Sequence, residues 1–111
     1  METELLKGMN ERMIKSFMDV LVLTKLKDNP MSGYDVIRSI HKEFGLLVSS
    51  GTVYSLLYSL ERNGLITGMR YPGKRLYTLT DKGNKELRGI LKAKEGILGM
   101  IATLFNGGKH V

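Results

Sequence analysis

Apolar residues recur at helical spacing in four stretches of this chain, and the first two stretches predict amphipathic helices. The first runs from about residue 4 to residue 27, where Asp28-Asn29-Pro30 ends it. The second covers roughly residues 33–44, and Ser32 and Asp35 have the spacing of a capping box at its start. The apolar face predicted for the second helix consists of Val36, Ile37, Ile40 and Phe44.

The third stretch predicts a helix with one apolar face and one face rich in hydroxyl groups. It starts near Thr52 and ends at Asn63-Gly64, because both residues tolerate the left-handed conformation at a helix end. The apolar positions follow an i, i+3, i+4, i+7 spacing and are Val53, Leu56, Leu57 and Leu60. The face left pointing outward carries Thr52, Tyr54, Ser55, Tyr58 and Ser59. Hydroxyl groups bind phosphate oxygens and base edges, and aromatic rings pack on thymine methyls, so this face is a candidate DNA contact. The alternative is an exposed face that is simply polar.

Two short strands follow this helix and predict a hairpin. Residues 65–71 and 75–79 are rich in aliphatic and aromatic side chains, and Tyr71-Pro72-Gly73-Lys74 between them suits a type II turn. Lys74 and Arg75 lie at the tip, with Arg70 just before it. Cations there would neutralise phosphates and make binding depend on salt, although exposed turns are often polar without a partner. A helix that fits a groove, followed by a basic hairpin, therefore favours DNA binding.

The fourth stretch predicts a long helix from Asp81 to about Phe105, with Thr80 as its N-cap. Its apolar stripe is longer than one small domain covers, so a second copy of the chain is the simplest partner. The predicted dimer interface combines Leu5, Leu6, Met9 and Met13 of the first helix with Ile90, Ile97, Ile101, Leu104 and Phe105 of the last. The alternative, a helix lying on an anionic membrane, is less favoured because the cations Lys85, Arg88 and Lys92 are far from the apolar end. Residues 107–111 are predicted to form a frayed tail.

Composition and charge agree with a DNA-binding protein and argue against an enzyme and against a metal-binding protein. The 111 residues suffice for one domain, and 42% hydrophobic with 25% charged residues is ordinary for a globular protein. The net charge is +6, and the whole excess lies after residue 60, which suggests a polyanionic partner or else a basic face kept for solubility. The chain has no cysteine, and its two histidines, His41 and His110, have no carboxylate cluster near them in sequence. We therefore expect a cytoplasmic protein that is not an enzyme and has no metal site and no cofactor.

Three motifs resemble the PadR family of winged-helix transcriptional regulators. They are SGYDVIRSI at residues 32–40, SSGTVYSLLYSLERNGLI at 49–66 and GKRLYTLTDKGNKEL at 73–87. The resemblance implies a mainly α fold with a small β-hairpin. That is a winged helix-turn-helix plus a long C-terminal dimerisation helix, like the compact subgroup of the family. Within a single domain over 1–111, residues 10–80 would form the DNA-binding region and 81–105 the dimerisation helix. Ser55 departs from the family, which commonly has proline there.

The resemblance also implies a function. It implies a homodimer that binds double-stranded operator DNA in a sequence-specific way, usually as a repressor. Thr52, Tyr54, Ser55, Tyr58 and Ser59 would then lie on the recognition helix, and Arg70, Lys74 and Arg75 on the wing. Some compact members bind flat hydrophobic effectors at the dimer interface, and for this chain such a small hydrophobic effector stays an open possibility. The main alternative is a winged-helix module that binds another protein and no DNA.

Overall fold

The computed structural model describes residues 2–109 as six helices and one antiparallel hairpin. In chain order the elements are α1 Glu4–Ser16, α2 Met18–Asp28, α3 Gly33–Phe44, α4 Ser50–Arg62, β1 Ile66–Tyr71, β2 Lys74–Leu79, α5 Asp81–Lys92 and α6 Lys94–Phe105. His110 and the end of the predicted tail lie outside the described residues. This order confirms the mainly α fold class with a small hairpin. None of the helices within 2–109 is long and apolar enough to cross a membrane.

The first and last predicted helices are each divided by one residue. Phe17 separates α1 from α2, and Ala93 separates α5 from α6, with ψ angles of 15° and 0°. Helical hydrogen bonding continues through both residues. Phe17 N–H donates to Met13 O and Phe17 O accepts from Leu21 N–H, both at 3.0 Å. Ala93 N–H donates to Gly89 O at 3.2 Å, and Ala93 O accepts from Ile97 N–H at 3.0 Å. Each break is therefore a local change of backbone angle and not a loop. The predicted single C-terminal helix consists of two helices in series.

Side-chain caps fix where the helices of the central unit begin. Ser32 Oγ accepts a hydrogen bond from Asp35 N–H at 3.1 Å, and the Asp35 carboxylate accepts one from Ser32 N–H at 2.9 Å, which confirms the capping box. The cap of α4 is Ser49, so this helix begins two residues before Thr52. Thr80 caps α5 as predicted, accepting from Gly83 N–H at 3.0 Å.

The core is formed by α2, α3, α4, the hairpin and α5. Its most deeply buried side chains are Met18, Val22, Val36, Ile40, Val53, Leu57, Ile66 and Leu87. Phe44 was predicted on the buried face of α3, but it is 49% exposed because the end of that helix reaches an open groove. Ile37 and Leu56, also predicted to be buried, are half-buried. Neither α1 nor α6 has a buried residue, so the core lies within the part of the chain from α2 to α5, which we call the winged unit.

Candidate nucleic-acid interface

The outward face of α4 lies at the surface as its sequence pattern predicts. Tyr58 is 65% exposed and Tyr54 46% exposed, and Thr52 and Ser55 are also exposed. Ser59 is half-buried. The Thr52 hydroxyl lies 2.8 Å from the Ser49 hydroxyl within the helix cap. The hydroxyl and aromatic groups of this helix therefore form one accessible face.

Tyr54 has a second role, because its ring packs directly on Gly33 at the start of α3. A Cβ atom at position 33 would overlap the ring, and Gly33 is buried. Glycine at this position therefore allows α3 and α4 to approach closely. The contact explains why Tyr54 is less exposed than Tyr58, and it fixes the arrangement of the two helices.

Two aromatic residues of this surface carry an arginine against their rings. The Arg62 guanidinium lies 5.2 Å from the centroid of the Tyr58 ring, and the Arg38 guanidinium 5.6 Å from that of Tyr34. Such cation–π contacts hold the charge close to the aromatic face. Sequence reasoning did not assign a role to Tyr34 or Arg38. Their spacing of four residues on α3, which places both side chains on one helix face, was the available signal.

The wing tip lies beside Tyr34 and Tyr54, which line the same cleft as the tip. The hairpin register pairs Tyr71 with Lys74 and Arg70 with Arg75. A cleft of about 320 Å³ separates the tip from the start of α3, and its lining residues are Ser32, Tyr34, Asp35, Tyr54, Gly73, Lys74 and Arg75. Tyr54, on the outward face of α4, and the basic tip therefore border one cleft.

The three wing cations differ in their surroundings. Arg75 turns back from the tip, and its Nη2 lies 2.7 Å from Glu61 Oε2. The same oxygen accepts a hydrogen bond from Gly68 N–H at 2.9 Å. The Gly68 hydrogen bond is the main cause of the lowered pKa of Glu61, and the hydrogen bond with Glu61 raises the pKa of Arg75. Neither Arg70 nor Lys74 takes part in the ion pairs formed within residues 2–109.

The described residues do not bring together side chains for a metal site. Among residues 2–109, no three histidine, cysteine, aspartate or glutamate side chains are placed to hold one ion.

A separate apolar groove of about 570 Å³ lies between α1 and α2 on one side and α5 and α6 on the other. Four of the predicted interface residues line it, namely Met13, Ile90, Ile97 and Ile101. Five others lie outside its lining: Leu5, Leu6, Met9, Leu104 and Phe105. Leu104 and Phe105 are each 69% exposed, so α6 presents apolar side chains to solvent beyond the groove.

Comparison with known proteins identifies the group to which this fold belongs. No curated protein matches the sequence. A PadR family transcriptional regulator from Eggerthella lenta has 24% identity and a TM-score of 0.78, covering 92% of this chain and 93% of that one. A PadR-like regulator from Bacillus cereus has 26% identity and a TM-score of 0.70, covering 86% and 94%.

The Bacillus subtilis PadR protein is larger, and this chain spans less than half of it. In its complex with operator DNA it has 31% identity and a TM-score of 0.61, covering 67% of this chain and 46% of that one. In its complex with p-coumaric acid the identity is 29% and the TM-score 0.59, covering 69% and 42%. The model of the PadR-like transcriptional regulator family matches residues 22–89, from α2 into α5. Members of this family are transcriptional regulators and not enzymes. Because the match extends over more than half of the sequence, the chain belongs to the PadR-like family of transcriptional regulators.

Proposed function

We propose that this protein is a homodimeric repressor that binds a specific operator sequence in duplex DNA. The observation that carries this proposal is the shared surface of α4 and the wing, where Tyr54 and Lys74 border the same cleft. A helix with an exposed polar face suits the major groove, and a basic hairpin beside it suits the phosphate backbone. The crystal structure of Bacillus subtilis PadR, a structural neighbour, is a complex with operator DNA, which supports the same use of the fold here.

The two parts of this surface have different proposed tasks. Tyr58, Ser55 and Thr52 contact base edges and thymine methyls, since they are exposed on one face of α4. Tyr54 is less exposed than Tyr58 and Ser59 is half-buried, and these two residues position the helix or reach the DNA backbone. Arg70 and Lys74 bind phosphates, which gives affinity without sequence preference. The predicted cytoplasmic location stays part of this proposal.

The proposed dimer forms through α1 and α6. These helices have no buried residue in one copy, yet α6 exposes Leu98, Met100, Leu104 and Phe105. Covering such a surface with a second copy removes apolar area from water, and two-fold dimers are the commonest oligomers. In the dimer the two α4 helices would enter successive major grooves about 34 Å apart.

The dimer is tested by changing the apolar groove. Ile97→Asp together with Ile101→Asp should give a monomer in light scattering, because the groove lining contains one cation, Lys94, and at least one of the two buried carboxylates would lack a partner. Lys92→Asp, on the exposed side of α5, is the matched control for added negative charge and should leave the mass of the dimer unchanged. An unchanged mass for the double variant would place the interface elsewhere.

DNA binding is tested by selecting bound duplexes from a random pool and titrating the selected duplex by fluorescence anisotropy. Between about 50 and 200 mM salt the affinity should fall steeply, as expected when phosphates are neutralised. A scrambled duplex should bind more weakly at each salt concentration, and a reporter gene behind the selected sequence should be transcribed less when the protein is present. A flat salt response, or no binding at micromolar protein, would favour the protein–protein module instead.

The apolar groove supports a second proposal, a small hydrophobic effector. Its volume of about 570 Å³ lies in the range of small-molecule sites. Bacillus subtilis PadR has also been crystallised in complex with p-coumaric acid. An apolar fluorescent dye that gains intensity with the wild type, and not with Ile97→Asp, would support a ligand site here. Equal intensity with both proteins would refute it.

A further inference from the structure

The wing is bonded to neighbouring elements along both of its edges. In a two-stranded antiparallel sheet, every second N–H and C=O of each strand points away from the partner strand. On the outer edge of β2, Met31 N–H donates to Tyr77 O at 3.2 Å and Tyr77 N–H donates to Met31 O at 2.8 Å. On the outer edge of β1, Gly68 N–H donates to the Glu61 carboxylate at 2.9 Å. Met31 comes just before α3 and Glu61 lies in the last turn of α4, so each edge is tied to a different helix.

Glu61 joins three elements through one oxygen atom. Its Oε2 accepts from Gly68 N–H on β1 and from the Arg75 guanidinium on β2, at 2.9 and 2.7 Å. The Arg75 side chain crosses Gly68 so closely that a Cβ atom at position 68 would overlap the guanidinium. The guanidinium also lies 5.7 Å from the centroid of the Tyr77 ring, which is buried. Arg75 is thereby directed along the hairpin toward α4 and not toward the tip.

This arrangement places a carboxylate beside the proposed DNA-binding surface, where its charge is unfavourable. A negative group near phosphates weakens association through like-charge repulsion. The cost is understandable if the carboxylate has a structural task that a neutral side chain performs less well. Charge-assisted hydrogen bonds to a backbone N–H and a guanidinium are stronger and more directional than neutral ones.

We propose that Glu61 and Arg75 are positioning residues for DNA binding. The Arg75–Glu61 ion pair and the Gly68–Glu61 hydrogen bond form a strut that holds the wing at a fixed angle to α4. Arg75 acts through this strut and not by contacting phosphate. The inference rests on the proposed DNA binding and assigns the direct phosphate contacts of the wing to Arg70 and Lys74. It differs from the sequence-based expectation, in which Arg75 shares the task of Lys74.

Replacing Glu61 tests the proposal because the two readings predict opposite signs. If Glu61 positions the wing, Glu61→Ala should weaken binding to the selected duplex by about tenfold, the scale of one charge-assisted hydrogen bond. If Arg75 contacts phosphate directly, Glu61→Ala should strengthen binding, because a repelling charge is removed and Arg75 is released. Glu61→Gln, which keeps an acceptor for Gly68 N–H, should restore part of the lost affinity.

Glu43→Ala is the matched control. Glu43 forms an ion pair with Lys25 at the same distance of 2.7 Å, but it joins α2 to α3 away from the wing. Its removal should leave affinity within about twofold, since exposed ion pairs contribute little. A tenfold loss in this control would show that charge removal alone weakens the complex, and the proposal would fall.

The salt dependence separates positioning from contact at the wing itself. Lys74→Ala should lower the slope of log affinity against log salt by about 0.9, the value for one lost phosphate contact. Arg75→Ala should weaken binding and leave the slope unchanged. An equal decrease in slope for both variants would overturn the proposal.

A measurement without DNA distinguishes failure of the strut from failure of the proposed function. In the free protein, the Gly68 amide should exchange with solvent faster in Glu61→Ala than in the wild type, because its acceptor is gone. An unchanged exchange rate would refute the strut. If the wild type binds no duplex but the exchange rates differ as expected, the proposed function is wrong and the strut stands. If Glu61→Ala does not fold, the same comparison is made with Glu61→Gln, in which a weaker acceptor should give a smaller increase.

Discussion

Gly83, in the first turn of α5, packs against Leu65 in the connection between α4 and β1, and this site has no room for a side chain. It is buried, and a Cβ atom at this position would overlap the carbonyl oxygen of Leu65. Two hydrogen bonds hold the same junction: Thr80 N–H donates to Leu65 O at 3.1 Å, and the Thr80 hydroxyl donates to Gly64 O at 2.6 Å. Because the obstacle is main chain, rotating a side chain does not relieve it. Gly83→Ala must move α5 away from Leu65.

The cost of this substitution follows from those contacts. Overpacking a buried site costs about 1–3 kcal/mol, and breaking the two hydrogen bonds costs about 1 kcal/mol each. Alanine returns about 1 kcal/mol through its higher helix propensity. The free energy of unfolding should therefore fall by about 2–4 kcal/mol.

Gly89→Ala is the control for helix propensity, because Gly89 lies in the same helix with no atom near the position of a Cβ. This variant should be more stable than the wild type by about 0.5–1 kcal/mol. The assay is equilibrium unfolding in urea at one fixed protein concentration, since a dimer makes stability depend on concentration. Opposite signs for the two variants are the expected result. A Gly83→Ala protein as stable as the wild type would refute the close contact with Leu65.

Three further predictions concern the DNA-facing surface. Gly33→Ala should destabilise the protein by about 1–3 kcal/mol through overlap with the Tyr54 ring, and the cost should shrink when Tyr54→Ala is added; additive effects in urea unfolding would contradict the contact. The pKa of Asp35 lies below its usual 3.8, chiefly because of the hydrogen bond from the Ser32 backbone, so its stabilising effect is complete above that pH and is lost as the pH falls through the lower folded-state pKa. Acid unfolding of Asp35→Ala should lack this part of the pH dependence, and identical pH profiles would refute the assignment. Tyr58→Ala should reduce the preference for the selected over the scrambled duplex by about 1–3 kcal/mol, whereas equal weakening of both would show that Tyr58 contacts only the backbone.

Local patterns in the sequence were sufficient to predict the elements of the winged unit. Ser32 and Thr80 are N-caps because a side-chain oxygen meets an unpaired N–H three residues later, and this spacing is visible in the sequence. Gly73 has a φ of 79°, as a type II turn requires. The outward face of α4 was predictable for the same reason, since helical periodicity alone separates its two faces.

The interruptions at Phe17 and Ala93 were not predictable from periodicity, because the apolar pattern continues across both residues. Phe44 has the spacing of a buried residue, and only the three-dimensional arrangement shows that it borders an open groove. The pairing of Arg75 with Glu61 depends on how the hairpin folds back over α4. Contacts between residues far apart in the chain do not affect local sequence spacing. The sequence therefore indicated a basic wing, but not that Arg75 forms an ion pair with Glu61.

The winged unit and the two outer helices differ in how firmly one copy of the chain holds them. The wing is bonded on one edge to Met31 and on the other to Glu61, so its angle to α4 is set within each copy. α1 and α6 have no buried residue, so one copy provides little packing to fix them. In the proposed dimer, the distance between the two α4 helices therefore depends on how α1 and α6 pack across the interface. A ligand changes an equilibrium only through states for which its affinity differs. An effector in the apolar groove would consequently regulate operator binding by changing the distance between the two α4 helices of the dimer. It would not change the angle of the wing to α4 within each copy.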